Sequence, residues 1–145
     1  MSATAMRVPA DADLFELVDP GLEGGGLRLL ASYSPAADEH FWPRRRRCPL
    51  TAQPVQPVIL QARGTLWTWS YCHLPWRGLT SPSGTDGYGV GLIDLPEGPR
   101  VLGVLIGTRA DWAIGDPMVG TALDFTEREG ETVCLLAFRR DGDTG

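Results

Sequence analysis

Arg63 to Cys72 reads RGTLWTWSYC, and the alternation inside that stretch decides the fold. Trp67, Trp69 and Tyr71 alternate with Leu66, Thr68, Ser70 and Cys72, the period of two that a half-buried strand requires. This is a strand with an aromatic face. Downstream, a Gly/Ser/Pro loop from Leu79 to Gly87 leads into a second strand, Tyr88 to Leu95 (YGVGLIDL). Pro96-Glu97-Gly98 turns the chain into a third, Arg100 to Ile106. Arg109 to Ile114 has room for one helical turn. Met118 to Thr126 and Thr132 to Arg139, joined by Glu129-Gly130-Glu131, complete the series.

Three meandering strands, a short helical connector and two more strands is the order of a five-stranded OB-type barrel. The predicted class is therefore mainly β. The glycines of Gly87-Tyr88-Gly89-Val90-Gly91 fall inside a strand, where close packing or bends in a small barrel explain them better than a phosphate cradle does.

Upstream, Asp11, Asp13, Glu16, Asp19 and Glu23 surround the apolar cluster Leu14, Phe15, Leu17 and Val18. That pattern predicts a short helix from about Asp11, capped by Asp11 or Asp13 and stopped by Pro20-Gly21 and Gly24-Gly25-Gly26. Residues 34 to 57 carry five prolines, too many for a helix or a central strand. The organisation expected is an acidic segment with the short helix over 1–26, a second segment over 27–57 that is irregular from 34 onward, the barrel over 58–140 and a short tail over 141–145.

The 145 residues hold 13 basic and 18 acidic side chains, a net charge of −5, and every basic residue is arginine. That balance is opposite to the electrostatic footprint of a nucleic-acid binder. Hydrophobic residues at 43% and charged residues at 21% are ordinary for a globular chain. No run of 18 apolar residues and no secretory signal occurs, which predicts a cytoplasmic protein. Cys48, Cys72 and Cys134 are too few and too scattered for a disulfide framework or a C-x-x-C motif.

The Pro-rich stretch is the informative one. Ser34-x-x-Ala37 precedes Phe41-Trp42-Pro43 and then Cys48-Pro49-Leu50-Thr51. This layout resembles a rubredoxin-like zinc ribbon of the form C-x-x-C, aromatic-Pro-Arg, C-P-x-C, with Ser34, Ala37, Cys48 and Thr51 at the four ligand positions. Followed by Arg63-Gly64-Thr65-Leu66, Tyr71-Cys72-His73-Leu74-Pro75 and Leu95-Pro96-Glu97-Gly98-Pro99-Arg100, it resembles the DUF35-type family, small accessory proteins with an N-terminal zinc ribbon and a C-terminal OB domain. The resemblance implies a non-catalytic subunit of a thiolase-fold acyl-CoA enzyme, such as a thiolase, aldolase or acyltransferase, completing or stabilising the partner's active site. The ribbon here is degenerate. Ala37 offers no donor and Ser34 and Thr51 are poor zinc ligands, so no metal and no other cofactor is expected.

Arg44, Arg45, Arg46 and Arg47 form the strongest charge feature. They are either a solvated turn or a docking surface for an acidic partner or for CoA phosphates, since guanidinium forks match both. Trp67, Trp69, Tyr71, His73 and Trp76 are the further contact candidates, filling the barrel or facing a partner. No catalytic residue is assigned. Cys72 and His73 point to opposite faces of a strand and cannot activate each other. Cys48 beside four cations is a candidate nucleophile, but no base or oxyanion motif accompanies it. Two other readings stay open, a single-strand nucleic-acid or oligosaccharide OB module and a stand-alone enzyme using Cys48.

Overall fold

The alternating stretches pair much as their period demands. A computed structural model describes residues 6–18, 26–73 and 87–142. Ten strands follow in order: β1 (Met6–Pro9), β2 (Phe15–Leu17), β3 (Leu27–Ser34), β4 (Glu39–Phe41), β5 (Gln56–Gln61), β6 (Arg63–Cys72), β7 (Tyr88–Asp94), β8 (Arg100–Leu105), β9 (Pro117–Arg128) and β10 (Glu131–Arg140). A 3₁₀ turn, Arg109–Asp111, links β8 to β9 where one helical turn was expected. Thr108 and Asp111 close that turn as a capping box.

β6, β7 and β8 form an antiparallel meander. β10 joins β8 in parallel and β9 in antiparallel, and β9 returns to β6 through Arg63↔Val119. The circuit β6-β7-β8-β10-β9-β6 closes a five-stranded barrel, the OB arrangement. Leu66, Ile93, Val101, Leu105, Met118, Leu136 and Phe138 fill it.

A second sheet precedes the barrel, with β3 at its centre. β5 pairs along one edge of β3, while β2 and β4 take the two ends of the other. Phe15, Leu27, Leu29, Ala31 and Leu60 of this sheet share one continuous core with the barrel. Only Ala62 separates β5 from β6, and its carbonyl accepts the Gly120 N–H at 2.6 Å. β1 lies beside β10 in parallel, with Arg7 paired to Asp124 at 2.7 Å.

Two expectations are corrected. The helix from Asp11 does not form. Asp11 caps a turn instead, accepting the Asp13 N–H on its carboxylate and the Leu14 N–H on its carbonyl, and Phe15–Leu17 continues as β2. Phe15 is buried because β3 pulls it into a ladder through Phe15↔Leu29, and a helix would leave that edge of β3 bare. The continuous aromatic face of β6 is also broken. The β6–β7 register shifts between Leu66 and Thr68, a bulge that leaves Trp67 unpaired. Leu66 is buried, Trp67 is 43% exposed, and Trp69 and Tyr71 lean back on the core.

Candidate functional site

Two groups of candidate residues lie on different sheets. The first is the arginine loop after β4, which the sequence treats as four equivalent charges. The fold divides them. The Arg44 guanidinium donates to the Ala31 carbonyl at 3.0 Å and to the Val58 carbonyl at 3.2 Å, tying β3 to β5. Arg47 donates to the Ala52 carbonyl at 3.1 Å, closing the turn that follows it. The Arg45 backbone is gripped by the buried Ser32 hydroxyl, which accepts its N–H at 2.8 Å and donates to its carbonyl. The Arg45 and Arg46 guanidinium groups make no hydrogen bond or ion pair among the described residues, and both are exposed. With Arg44, Pro43, Leu30, Ala12 and Asp13 they line a cavity of about 430 Å³. Two unengaged forks over a partly apolar floor can take a carboxylate or a phosphate.

The same loop is fixed from behind by Trp42, whose indole N–H donates to the Leu14 carbonyl at 3.0 Å while its ring packs on the core. Contacts within the chain therefore order this Pro-rich stretch.

The second group is the aromatic strand. Trp67 stands on the outer wall with the Arg100 guanidinium 3.7 Å above its ring, and Asp94 holds Arg100 at 2.6 Å. Trp69 meets the Trp112 ring edge-on at 5.4 Å. Tyr71 lies between Arg109, 4.4 Å from its ring, and His73, 5.0 Å away. His73 is exposed at the strand end. Trp76 and the remainder of the Leu79–Gly87 loop, apart from Gly87, lie outside the described residues.

Trp112 and Arg109 escaped the sequence reading. Trp112 is 4% exposed, donates its N–H to the Ile106 carbonyl at 3.1 Å, and presses its ring onto the Gly89 backbone. Any side chain at position 89 would overlap that ring, and one at Gly91 would meet Leu105 and Leu66. The strand glycines are thus packing positions. A usable signal was present in Arg109-Ala110-Asp111-Trp112, a tryptophan inside the connector between β8 and β9.

The four ribbon positions sit at two turns. Ser34 and Cys48 are buried, at 0% and 2% exposure. The Ala37 N–H donates to Ser34 Oγ at 3.2 Å, and the Ala52 N–H to the Cys48 carbonyl at 2.8 Å. Burial pushes the Cys48 thiol up, but hydrogen bonds from the Ser34 and Thr51 hydroxyls and from the Leu50 and Thr51 N–H groups outweigh it and bring it down to about 7. Cys134 goes the other way, raised by burial and by Asp124 despite Arg7. Among the described residues no three His, Cys, Asp or Glu side chains gather as a metal-binding group. Nor is any helix there long and apolar enough to cross a membrane.

Barrel closure and strand order define an OB-fold protein. Residues 58–121 match the family model described as the ChsH2 C-terminal OB-fold domain. The fold is similar to a chain of the solved structure described as Ltp2-ChsH2(DUF35) aldolase, with a TM-score of 0.60 and 24% identity. The match covers 78% of this chain and 84% of that one, and it is a likeness of fold. No curated protein sequence matches.

Proposed function

We propose that this protein is a non-catalytic accessory subunit of a thiolase-fold acyl-CoA enzyme, completing or stabilising the partner's active site. The observation that carries the reading is the match of its barrel to the ChsH2 C-terminal domain, supported by the likeness of fold to a chain of a two-component aldolase. Arg45 and Arg46 are the docking arginines in this proposal, facing partner carboxylates or the phosphates of a CoA thioester. Trp67 and His73 are the accessible aromatics of the second group, while Trp69 and Tyr71 support the strand from inside.

The chemistry of the barrel wall disfavours the oligonucleotide reading. OB domains bind strands on the outer face of their second and third strands. Here that face carries Val90, Leu92, Leu102 and Val104, whose partners across the register are Val90↔Val104 and Leu92↔Leu102. Single-strand binding needs a basic groove with stacking platforms, and this wall is aliphatic with one arginine already paired to Asp94.

Co-expression with a thiolase-fold acyl-CoA enzyme of the same genome tests the proposal. A stable complex on size exclusion, with turnover higher than that of either chain alone, is expected. Failure of every such enzyme to bind, or thioester turnover by the isolated chain lost on Cys48→Ala, overturns it. The same is true of tight oligonucleotide binding at physiological salt.

A further inference from the structure

A connector between strands has to satisfy its own polar groups, and the one between β8 and β9 spends both of its carboxylates doing so. Asp111 accepts the Thr108 N–H at 2.8 Å and the Thr108 hydroxyl at 3.0 Å. Asp116 accepts the Ala113 N–H at 3.0 Å and lies 3.5 Å from the Arg140 guanidinium. The connector is also tied to β6, by Gly115 N–H to the Leu66 carbonyl at 2.8 Å and by Leu66 N–H to the Asp116 carbonyl at 2.9 Å. Trp112, buried within it, meets Trp69 and Tyr71 of that strand.

Arg109 is the cation that this arrangement leaves over. Its guanidinium carbon sits 4.4 Å from the centroid of the Tyr71 ring, and His73 meets the same ring edge-on at 5.0 Å. A cation–π contact holds a guanidinium through the ring face and consumes none of its N–H donors. Among the described residues those donors have no hydrogen-bond or ion-pair partner, since both carboxylates of the connector are taken. Arg109 and His73 are exposed, and Ile114, on the same connector, is exposed at 69%. Tyrosine and arginine are enriched at interface hot spots, and a platform already fixed to the barrel lowers the ordering cost of binding. Charge selects what is bound. One guanidinium fork matches one carboxylate in charge and shape, whereas a phosphate dianion brings a further negative charge to a chain that already carries −5.

We propose that the β8–β9 connector is a second protein-docking surface, on which Arg109, steadied by Tyr71, takes an aspartate or glutamate side chain of a partner protein while Ile114 packs against an apolar neighbour of that acid. The proposal rests on the reading that this chain works against a partner. It concerns a different element from the Arg45 and Arg46 cavity, which belongs to the loop after β4.

The test has two arms, both on the full chain. In the first, the protein alone is titrated with an acetylated and amidated Leu-Glu-Leu peptide while the arginine Nε–H signals are followed by NMR. The Arg109 signal should shift saturably and several-fold more than that of Arg128, an exposed arginine at the other end of β9. Inorganic phosphate at the same concentration should shift it less. An Arg109 response no larger than that of Arg128, or one larger with phosphate, overturns the carboxylate site. In the second arm, Arg109→Glu, Arg109→Lys and Ile114→Asp are compared with Arg128→Glu for assembly with the co-expressed thiolase-fold enzyme. Arg109→Glu and Ile114→Asp should weaken assembly many-fold, Arg109→Lys less because it keeps the charge and loses the fork, and Arg128→Glu hardly at all. The unfolding temperature of each variant should stay at the wild-type value. If Arg109→Glu lowers it, Ile114→Asp decides in its place. Wild-type assembly by the deciding variant overturns the docking surface and leaves the accessory-subunit reading standing. Failure of the wild type to form any complex overturns that reading instead, and the peptide titration then decides the site by itself.

Discussion

Gly89 and Cys48 are the residues where the structure converts a sequence oddity into a physical requirement. At Gly89 the Trp112 ring occupies the space that a Cβ would need, so Gly89→Ala forces the indole or the strand to move. Overpacking of this kind costs about 1–3 kcal/mol. Denaturant unfolding should show that loss for Gly89→Ala, while Ser70→Ala on the exposed face of β6 stays within about 0.5 kcal/mol. At Cys48 the thiol titrates at about 7 in the folded chain against 9.0 for an ordinary one. Between those values the native state holds fewer protons than the unfolded state, so stability rises with pH across that window. The contribution is complete above the ordinary value and lost as pH falls through 7. Comparing unfolding midpoints at about pH 6 and about pH 9 for wild type and Cys48→Ser should remove that slope in the variant. Cys134, pushed upward by burial, adds a slope of opposite sign only above its ordinary value.

At the level of elements, the barrel was legible because its strands are long, alternate cleanly and are separated by Gly and Pro turns. Tyr88 to Asp94 and Arg100 to Leu105 lie where the alternation put them. The N-terminal sheet was not legible, for two reasons. β2 is three residues long, so Phe15 and Leu17 fit a helical stripe as well as a strand. β3 owes its strand to partners far away in sequence, Gln56–Gln61, and Leu27-Arg28-Leu29-Leu30 carries no period that reveals them. The bulge at Trp67 was invisible for a similar reason, since a one-residue slip lies in the register with β7 and not in the local pattern. Arg44 shows how a charge run can hide an element-scale role. Its guanidinium holds the Ala31 and Val58 carbonyls of β3 and β5, so Arg44→Ala should cost about 1–2 kcal/mol of stability. Arg46→Ala, with no described partner, should cost less than about 0.5 kcal/mol. Thermal unfolding of the two single variants separates them, and equal losses would contradict the division of the loop.

For the whole molecule the same division predicts how assembly and folding come apart. Two arginines are consumed within the N-terminal sheet and its turn, Arg44 tying β3 to β5 and Arg47 closing the turn after it, and two, Arg45 and Arg46, line a cavity. A protein with net charge −5 that lines one cavity with two exposed arginines lacking a described partner has a local site for an anion against an otherwise repulsive field. Such a site steers a partner by a short-range match, and its attraction is screened by salt. Arg45→Ala/Arg46→Ala should therefore leave the unfolding temperature unchanged and weaken assembly with the proposed thiolase-fold partner, or raise the KM for the acyl-CoA proposed as its substrate. Arg44→Ala/Arg47→Ala should lower the unfolding temperature first and affect assembly only through that loss. Measuring both variants by calorimetry and by binding at two salt concentrations distinguishes the cases. If Arg45→Ala/Arg46→Ala binds and turns over like the wild type at both, the arginine cavity is a solvated surface and the contact lies elsewhere, with the aliphatic wall of β7 and β8 beside Trp67 as the next surface to mutate.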